Sequence, residues 1–217
     1  MGVPGTGRLT PDHPRLETLP AGTTLWRVSR DPTGLRFSTS GRRQRFSPLV
    51  DVGGVALPAW YGSSSRVGAL FESVFHDVRS SDPAPRVFPN AYRDRILAQV
   101  ITTRDLRLVD LTSIGLQAIG VSRAALIEST PRQYPWTAAM AQRLLDHAPD
   151  AEGLLWTSRA HDRSLCVALV GRPGSRAPLV PGGELPLALG VGAGLELLRA
   201  AAADARITIV LPDAGNR

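Results

Sequence analysis

The stretch that most constrains this chain runs from Trp60 to Val78, where a short apolar run turns directly into an amphipathic segment. Val67, Leu70, Phe71, Val74, Phe75 and Val78 recur at the i, i+3, i+4, i+7 spacing of one helical face. Ser63, Ser64 and Ser65 each offer an N-cap oxygen ahead of them, so a helix is expected from the serines to Val78. Glu72 follows Phe71 by one position, about 100° round a helix of 3.6 residues per turn. That places a carboxylate at the border of the buried stripe, half desolvated yet open to a cleft, with Tyr61 just before the helix.

At 217 residues and 43% hydrophobic content, the chain can bury one sizeable core. Residues 1–22 are rich in Gly, Pro and charge without a hydrophobic period and read as a flexible N-terminal arm. A single domain is expected over residues 23–217. The formal charge is +6, and arginine supplies all 25 Lys+Arg positions because the sequence has no lysine. A phosphate-loop lysine, a Schiff-base lysine and a lysine general base are thereby excluded, which leaves arginine forks to hold any phosphate-bearing ligand. The lone Cys166 lies in the apolar run Leu165 to Val170 and reads as a buried core thiol. Four histidines, His13, His76, His147 and His161, are scattered without metal-ligand spacing, so no metal is expected. No apolar segment approaches 18 residues and the start lacks a hydrophobic signal core, from which a cytoplasmic protein is expected.

Along the chain, Leu25-Trp26-Arg27-Val28 is a β-prone run that sends Leu25 and Arg27 to one face and Trp26 and Val28 to the other. Arg27 therefore reads either as a stem covering the core edge or as a ligand clamp. A basic loop, Gly41 to Pro48, carries Arg42, Arg43 and Arg45. Strands are expected at Arg95 to Thr102 and Leu106 to Leu111, both paired with the first sheet. Ser122 caps a short helix, and Pro135 opens a longer one whose stripe of Trp136, Met140 and Leu144 is expected in the core. Leu154 to Ser158 and Ser164 to Val170 form a hairpin pattern; an Ala/Leu helix near Leu195 to Ala203 and a last strand, Arg206 to Leu211, close the chain.

Two tempting motifs fail. Gly190-Val191-Gly192-Ala193-Gly194 resembles a dinucleotide fingerprint, but Leu195 is not small and Pro186 disfavours a strand immediately before it. The serines at 63 to 65 form no Gly-x-Ser-x-Gly elbow, which argues against a serine hydrolase.

Taken together, Leu25-Trp26-Arg27-Val28, Gly41 to Pro48, Trp60-Tyr61-Gly62 through Ala69-Leu70-Phe71-Glu72-Ser73-Val74, Tyr134-Pro135-Trp136, and Gly153-Leu154-Leu155-Trp156-Thr157-Ser158-Arg159 with Cys166-Val167-Ala168-Leu169 resemble the RES domain family. Its members are toxins of bacterial RES/Xre toxin-antitoxin systems. The resemblance implies an ADP-ribosyltransferase-like fold: a mixed α/β (α+β) core of two sheets with peripheral helices around a dinucleotide cleft. It implies NAD as substrate, cleaved at the nicotinamide-ribose bond, with ADP-ribose passed to phosphate, water or protein. The implied partner is an Xre-like helix-turn-helix antitoxin.

The resemblance assigns Glu72, Arg27 and Ser158 to catalysis and Arg27, Arg45, Tyr61 and Ser158 to binding NAD. The chemistry suits them. Glu72 would stabilise the oxocarbenium-like ribosyl cation. Arg27 and Arg45 would supply bidentate donors to the pyrophosphate. Tyr61 would stack on nicotinamide, and Ser158 would fix the nicotinamide ribose or carboxamide. Many members carry Arg-Trp-Asn where this chain has Arg45-Phe46-Ser47, leaving Arg43 as a stand-in for Arg45. Two readings from other classes stand beside this one: a basic nucleic-acid-binding protein without NAD turnover, suggested by the arginine excess, and a catalytically dead interaction module.

Overall fold

The computed structural model describes residues 13–39, 44–78, 81–174 and 177–212. The chain runs through β1 (Leu16–Leu19), β2 (Thr24–Ser29), β3 (Leu49–Val50), β4 (Ala56–Leu57), β5 (Ala59–Ser63) and α1 (Arg66–Phe71). It continues through β6 (Arg86–Val87), α2 (Pro89–Tyr92), β7 (Ile96–Thr102), β8 (Leu106–Asp110), α3 (Ser113–Ala118) and α4 (Arg123–Leu126). After a 3₁₀ turn at Pro131–Gln133 come α5 (Tyr134–Asp146), β9 (Gly153–Thr157), β10 (Leu165–Val170), β11 (Leu179–Pro181), β12 (Leu187–Ala188), α6 (Gly192–Asp204) and β13 (Thr208–Ile209).

Alternation of apolar residues drives nine of these strands into one sheet ordered β1-β8-β9-β10-β5-β2-β7-β11, with β12 also on β7, while β3 pairs with β4 and β13 with β6. Neighbours are antiparallel except β8 and β9. The fold is thus mixed α/β, as expected. The two sheets of that expectation are two halves of one curled sheet, joined between β2 and β5 by the register pair Trp26↔Ser63. Leu25 and Val100 from one half meet Trp60, Leu108, Leu155 and Val167 from the other in a shared core. The outer faces carry helices: Leu126, Met140, Ala141 and Leu144 cover Val109, Leu154 and Trp156, while α1 and α6 cover Trp26 and Leu97.

The hairpin of β9 and β10 and the Ser122 cap, whose hydroxyl accepts from Ala125 N, follow the sequence pattern. Other elements depart from it. Leu16–Leu19 lies inside the segment expected as an arm, yet pairs along its whole length with β8, so folded structure begins before Thr23. Residues 1–12 of that arm lie outside the described residues. The central helix stops at Phe71 instead of Val78. There Leu70 O receives both Val74 N and Phe75 N, and the Ser73 hydroxyl bonds back to Ala69 O, so the chain loosens into turns that still bury Val74 and Phe75. Trp136, expected in the core with Met140 and Leu144, is 41% exposed, because it sits in the first turn of α5 beyond the sheet's cover. The final strand is only Thr208–Ile209, paired parallel with β6. A two-residue strand, β12, does follow Pro186 directly.

Candidate functional site

Beyond Trp26↔Ser63 the two halves of the sheet part, and a cleft of about 630 Å³ opens in the gap. This is the size range of small-molecule sites. Val28, Ser29 and Arg27 line it from β2, Tyr61 and Gly62 from β5, Glu72 and His76 from the chain around α1, and Gln44 to Ser47 from the basic loop. A second hollow of about 620 Å³, bounded by Phe37, Leu57, Pro58 and Leu169, holds none of Arg27, Arg45, Tyr61, Glu72 and Ser158.

The α1 segment is seated by close approach. Ser65 caps it, accepting from Gly68 N at 2.9 Å, and Ser65 Oγ meets Ser164 Oγ at 2.6 Å. Gly68 faces Ser63 and Ser164 so tightly that a Cβ there would lie 2.4 Å from both hydroxyl oxygens. This contact brings the end of α1 over the β9–β10 turn. Glu72 is the C-cap, its own N–H bonded to Gly68 O, and its side chain turns toward that turn.

There Ser158 Oγ donates to Glu72 Oε1 at 2.6 Å, while Ser158 Oγ accepts from Ala160 N at 3.1 Å and His161 N at 3.0 Å. A hydroxyl has one proton and two lone pairs. Two amides occupy the lone pairs, so the proton is directed to the carboxylate. Ser158 is 0% exposed and does not line the cleft. It sits against Glu72, with its hydroxyl directed at that carboxylate. The Ser158 carbonyl is itself held by Arg123 Nη2 at 2.9 Å.

Arg45 is only 7% exposed, and its Nε and Nη2 have no hydrogen-bond partner among the described residues. Burial pushes its pKa down, and the charge of Glu72 partly opposes that shift. Its position is tied down through its carbonyl, which accepts the Thr137 hydroxyl, and through the Phe46 ring beneath its guanidinium. Arg27 combines both readings of its sequence. Its guanidinium lies 5.6 Å from the centroid of the Trp60 ring and donates to Arg36 O at 2.7 Å, yet it also lines the cleft. Burial brings its pKa down to about 10, against a weaker opposing pull from Asp31. By strand alternation Arg27 shares the Leu25 face and Tyr61 the opposite one, so the two reach the cleft from different sides of the sheet through the β2–β5 gap.

Tyr61 shares a 2.6 Å hydrogen bond with the Ser47 hydroxyl and stands edge-on to Trp156, whose ring also meets Phe46. Burial raises its pKa to about 12, so the phenol stays neutral. Cys166 is buried on the cleft floor, and burial, reinforced by Glu72, pushes its thiol up. Arg43 lies outside the described residues. Among the described residues, no three His, Cys, Asp or Glu side chains come together as a metal set. None of the glycines at 190, 192 or 194 lines the cleft.

Sequence reading missed His76, Trp156 and Arg95, which also line the cleft. Trp156 was legible through strand alternation, being two positions before Ser158. His76 had no local signal. Its carbonyl accepts Arg159 Nη2 at 3.0 Å, and its Nδ1 meets Asp77 Oδ1 at 2.9 Å.

The gap in this split, curled α/β sheet presents two desolvated guanidiniums around one hydrogen-bonded carboxylate, charges suited to holding an anion beside an acid. The RES domain family matches residues 24–189, and the chain belongs to that family. Among solved structures, the chain is similar to one in the crystal structure of the M. tuberculosis MbcT-MbcA toxin-antitoxin complex. The identity is 16% and the TM-score 0.55, covering 86% of this chain and 92% of that one. No curated protein matches the chain. No helix among the described residues is long and apolar enough to cross a membrane.

Proposed function

We propose that this protein is the toxin of a toxin-antitoxin pair and that it destroys NAD by cleaving the nicotinamide-ribose bond. The observation that carries this reading is the placing of a buried guanidinium, Arg45, and a half-buried one, Arg27, with Glu72 around one cleft. A buried arginine with unpartnered donors is costly unless an anion completes it. A dinucleotide pyrophosphate offers two negative charges and planar, bidentate acceptors of the right kind.

With the pyrophosphate held by Arg27 and Arg45, the nicotinamide ribose lies against Glu72. The C1′–N bond breaks with both electrons going to nicotinamide, which departs neutral, and positive charge develops on the ribose. Glu72, its carboxyl oriented by the Ser158 hydroxyl, stabilises that charge. The Tyr61 ring, neutral and fixed by Ser47, forms an aromatic wall for the leaving nicotinamide. An acceptor with a lone pair then attacks C1′ and loses its proton.

The solved neighbour comes from a toxin-antitoxin complex, which supports a proteinaceous antitoxin as partner here. An Xre-like helix-turn-helix protein that covers the cleft would serve. The competing nucleic-acid reading is weakened because Arg45, counted in its basic cluster, is buried instead of presented to solvent.

Incubating the purified protein with NAD and following nicotinamide release tests the reading. Release by the wild type and its loss by at least about a hundredfold in Glu72→Gln is the expected result. No release with phosphate, water or cell extract as acceptor overturns it.

A further inference from the structure

The cleft has a second cationic end that the pyrophosphate does not use. β2 and β7 pair with Ser29 opposite Ile96, so the next step sets Arg30 opposite Arg95 on the Val28 face. Arg95 lines the cleft and is half-buried, whereas Arg30 is exposed beside it. The guanidinium of Arg95 makes no hydrogen bond or ion pair among the described residues. Burial lowers its pKa, the like charge of Arg30 adds to the shift, and Asp94 opposes it. The nearby carboxylates have other engagements. Asp94 faces Arg93 Nε at 3.6 Å, and Asp31 accepts from Thr33 and from Arg36 N.

Two adjacent arginines, one of them desolvated and unpartnered, repel one another until an anion lies between them. Trp26, Val28, Val74 and Ala91 also line the cleft and give it an apolar surface suited to a flat base. The cleft thus combines a carboxylate, Arg27 and Arg45 to match a pyrophosphate, an apolar surface and a further arginine, Arg95.

We propose that Arg95, assisted by Arg30, forms a phosphomonoester subsite, so that the preferred substrate is the nicotinamide dinucleotide carrying a 2′-phosphate on its adenosine ribose. This rests on the dinucleotide reading of the cleft. It adds a dianion to the substrate at the point where Arg95 lines the cleft with Arg30 beside it. Charge-assisted bonds of this kind are worth a tenfold or larger difference in affinity.

Calorimetric binding of 2′,5′-ADP and of ADP, neither of which has a nicotinamide bond to cleave, tests the subsite apart from turnover. The wild type is expected to bind 2′,5′-ADP at least about tenfold more tightly. Arg95→Gln should erase that preference while leaving ADP binding within about twofold, and Arg95→Lys should restore part of it. Equal affinities in the wild type, no measurable binding of either probe, or an equal loss of both in Arg95→Gln would overturn the subsite; the last result would assign Arg95 to the pyrophosphate. Nicotinamide release from the 2′-phosphorylated and plain dinucleotides, measured in parallel, separates the two proposals. A retained 2′,5′-ADP preference without release from either dinucleotide rejects bond cleavage and keeps the subsite.

Discussion

Ser158 Oγ donates its only proton to Glu72 Oε1 at 2.6 Å, because the amides of Ala160 and His161 already occupy its lone pairs. The relationship joins the β9–β10 turn to the end of α1, 86 positions apart in sequence. It determines which oxygen of Glu72 stays available to the cleft. Glu72 is therefore oriented by a residue that does not line the cleft.

Ser158→Ala should consequently lower kcat without much change in KM. Hydrogen bonds to charged groups are worth about 1.5–3 kcal/mol, which corresponds to a loss of about 10- to 100-fold. In a Glu72→Gln background the same change should have almost no further effect, since the two residues act as a unit. Steady-state nicotinamide release across the four proteins of this cycle provides the check. A rise in KM at constant kcat would instead mean that Ser158 binds ligand directly.

Arg45→Met should strengthen the empty fold and abolish dinucleotide binding. The pKa of Arg45 is depressed, so the folded state disfavours the charged guanidinium relative to the unfolded chain, and removing the charge relieves that cost. A gain of about 1–2 kcal/mol in urea unfolding of the ligand-free protein is expected. Loss of stability by a similar amount would make Arg45 a structural residue.

Gly68→Ala should do the opposite. The added methyl would overlap the Ser63 and Ser164 hydroxyls at 2.4 Å and Ser164 Cβ at 2.6 Å. Alanine's better helix propensity, worth up to about 1 kcal/mol, does not offset an overlap that costs about 1–3 kcal/mol. Urea unfolding should show the net loss, and activity should fall with it because Ser65, Ser164 and the end of α1 must shift together.

Tyr61 makes stability depend on alkaline pH. Its folded pKa of about 12 lies above the ordinary phenol value of 10.0, so between those values the folded state holds a proton that the unfolded chain has released. The stability contributed by the neutral phenol is fully present below pH 10.0 and is lost as pH rises through about 12. Arg27 acts in the reverse sense over an overlapping range, because its folded pKa is lowered to about 10. Comparing the wild type with Tyr61→Phe isolates the tyrosine: from pH 10 to 12 the wild type should lose stability relative to the variant. Parallel profiles for the two proteins would contradict the assignment.

Much of this arrangement could be read before any coordinates. Strand alternation revealed the β9–β10 hairpin and the opposed faces of Leu25 and Trp26, and the serine ahead of an apolar period marked the start of α1. These signals are local, since side-chain direction and capping depend on neighbours a few residues away. The family resemblance brought Arg27, Arg45, Tyr61 and Glu72 together, and all four line one cleft.

Other features had no local trace. The Leu16–Leu19 strand exists because β8 offers it an edge about 90 positions later, although its own sequence reads as an arm. The end of α1 at Phe71 depends on how Leu70 O is shared in the packed turn, and the apolar stripe alone runs on to Val78.

By itself, the sequence determined which groups this protein has to work with: arginine as its basic residue, a tyrosine and a glutamate on either side of a capped helix start, and a serine at a strand end. Only the tertiary structure decided which charges remain unpaired and which proton points where. Desolvation and hydrogen-bond saturation are set by whatever packs around a group, and at Arg45 and Ser158 those neighbours come from distant parts of the chain.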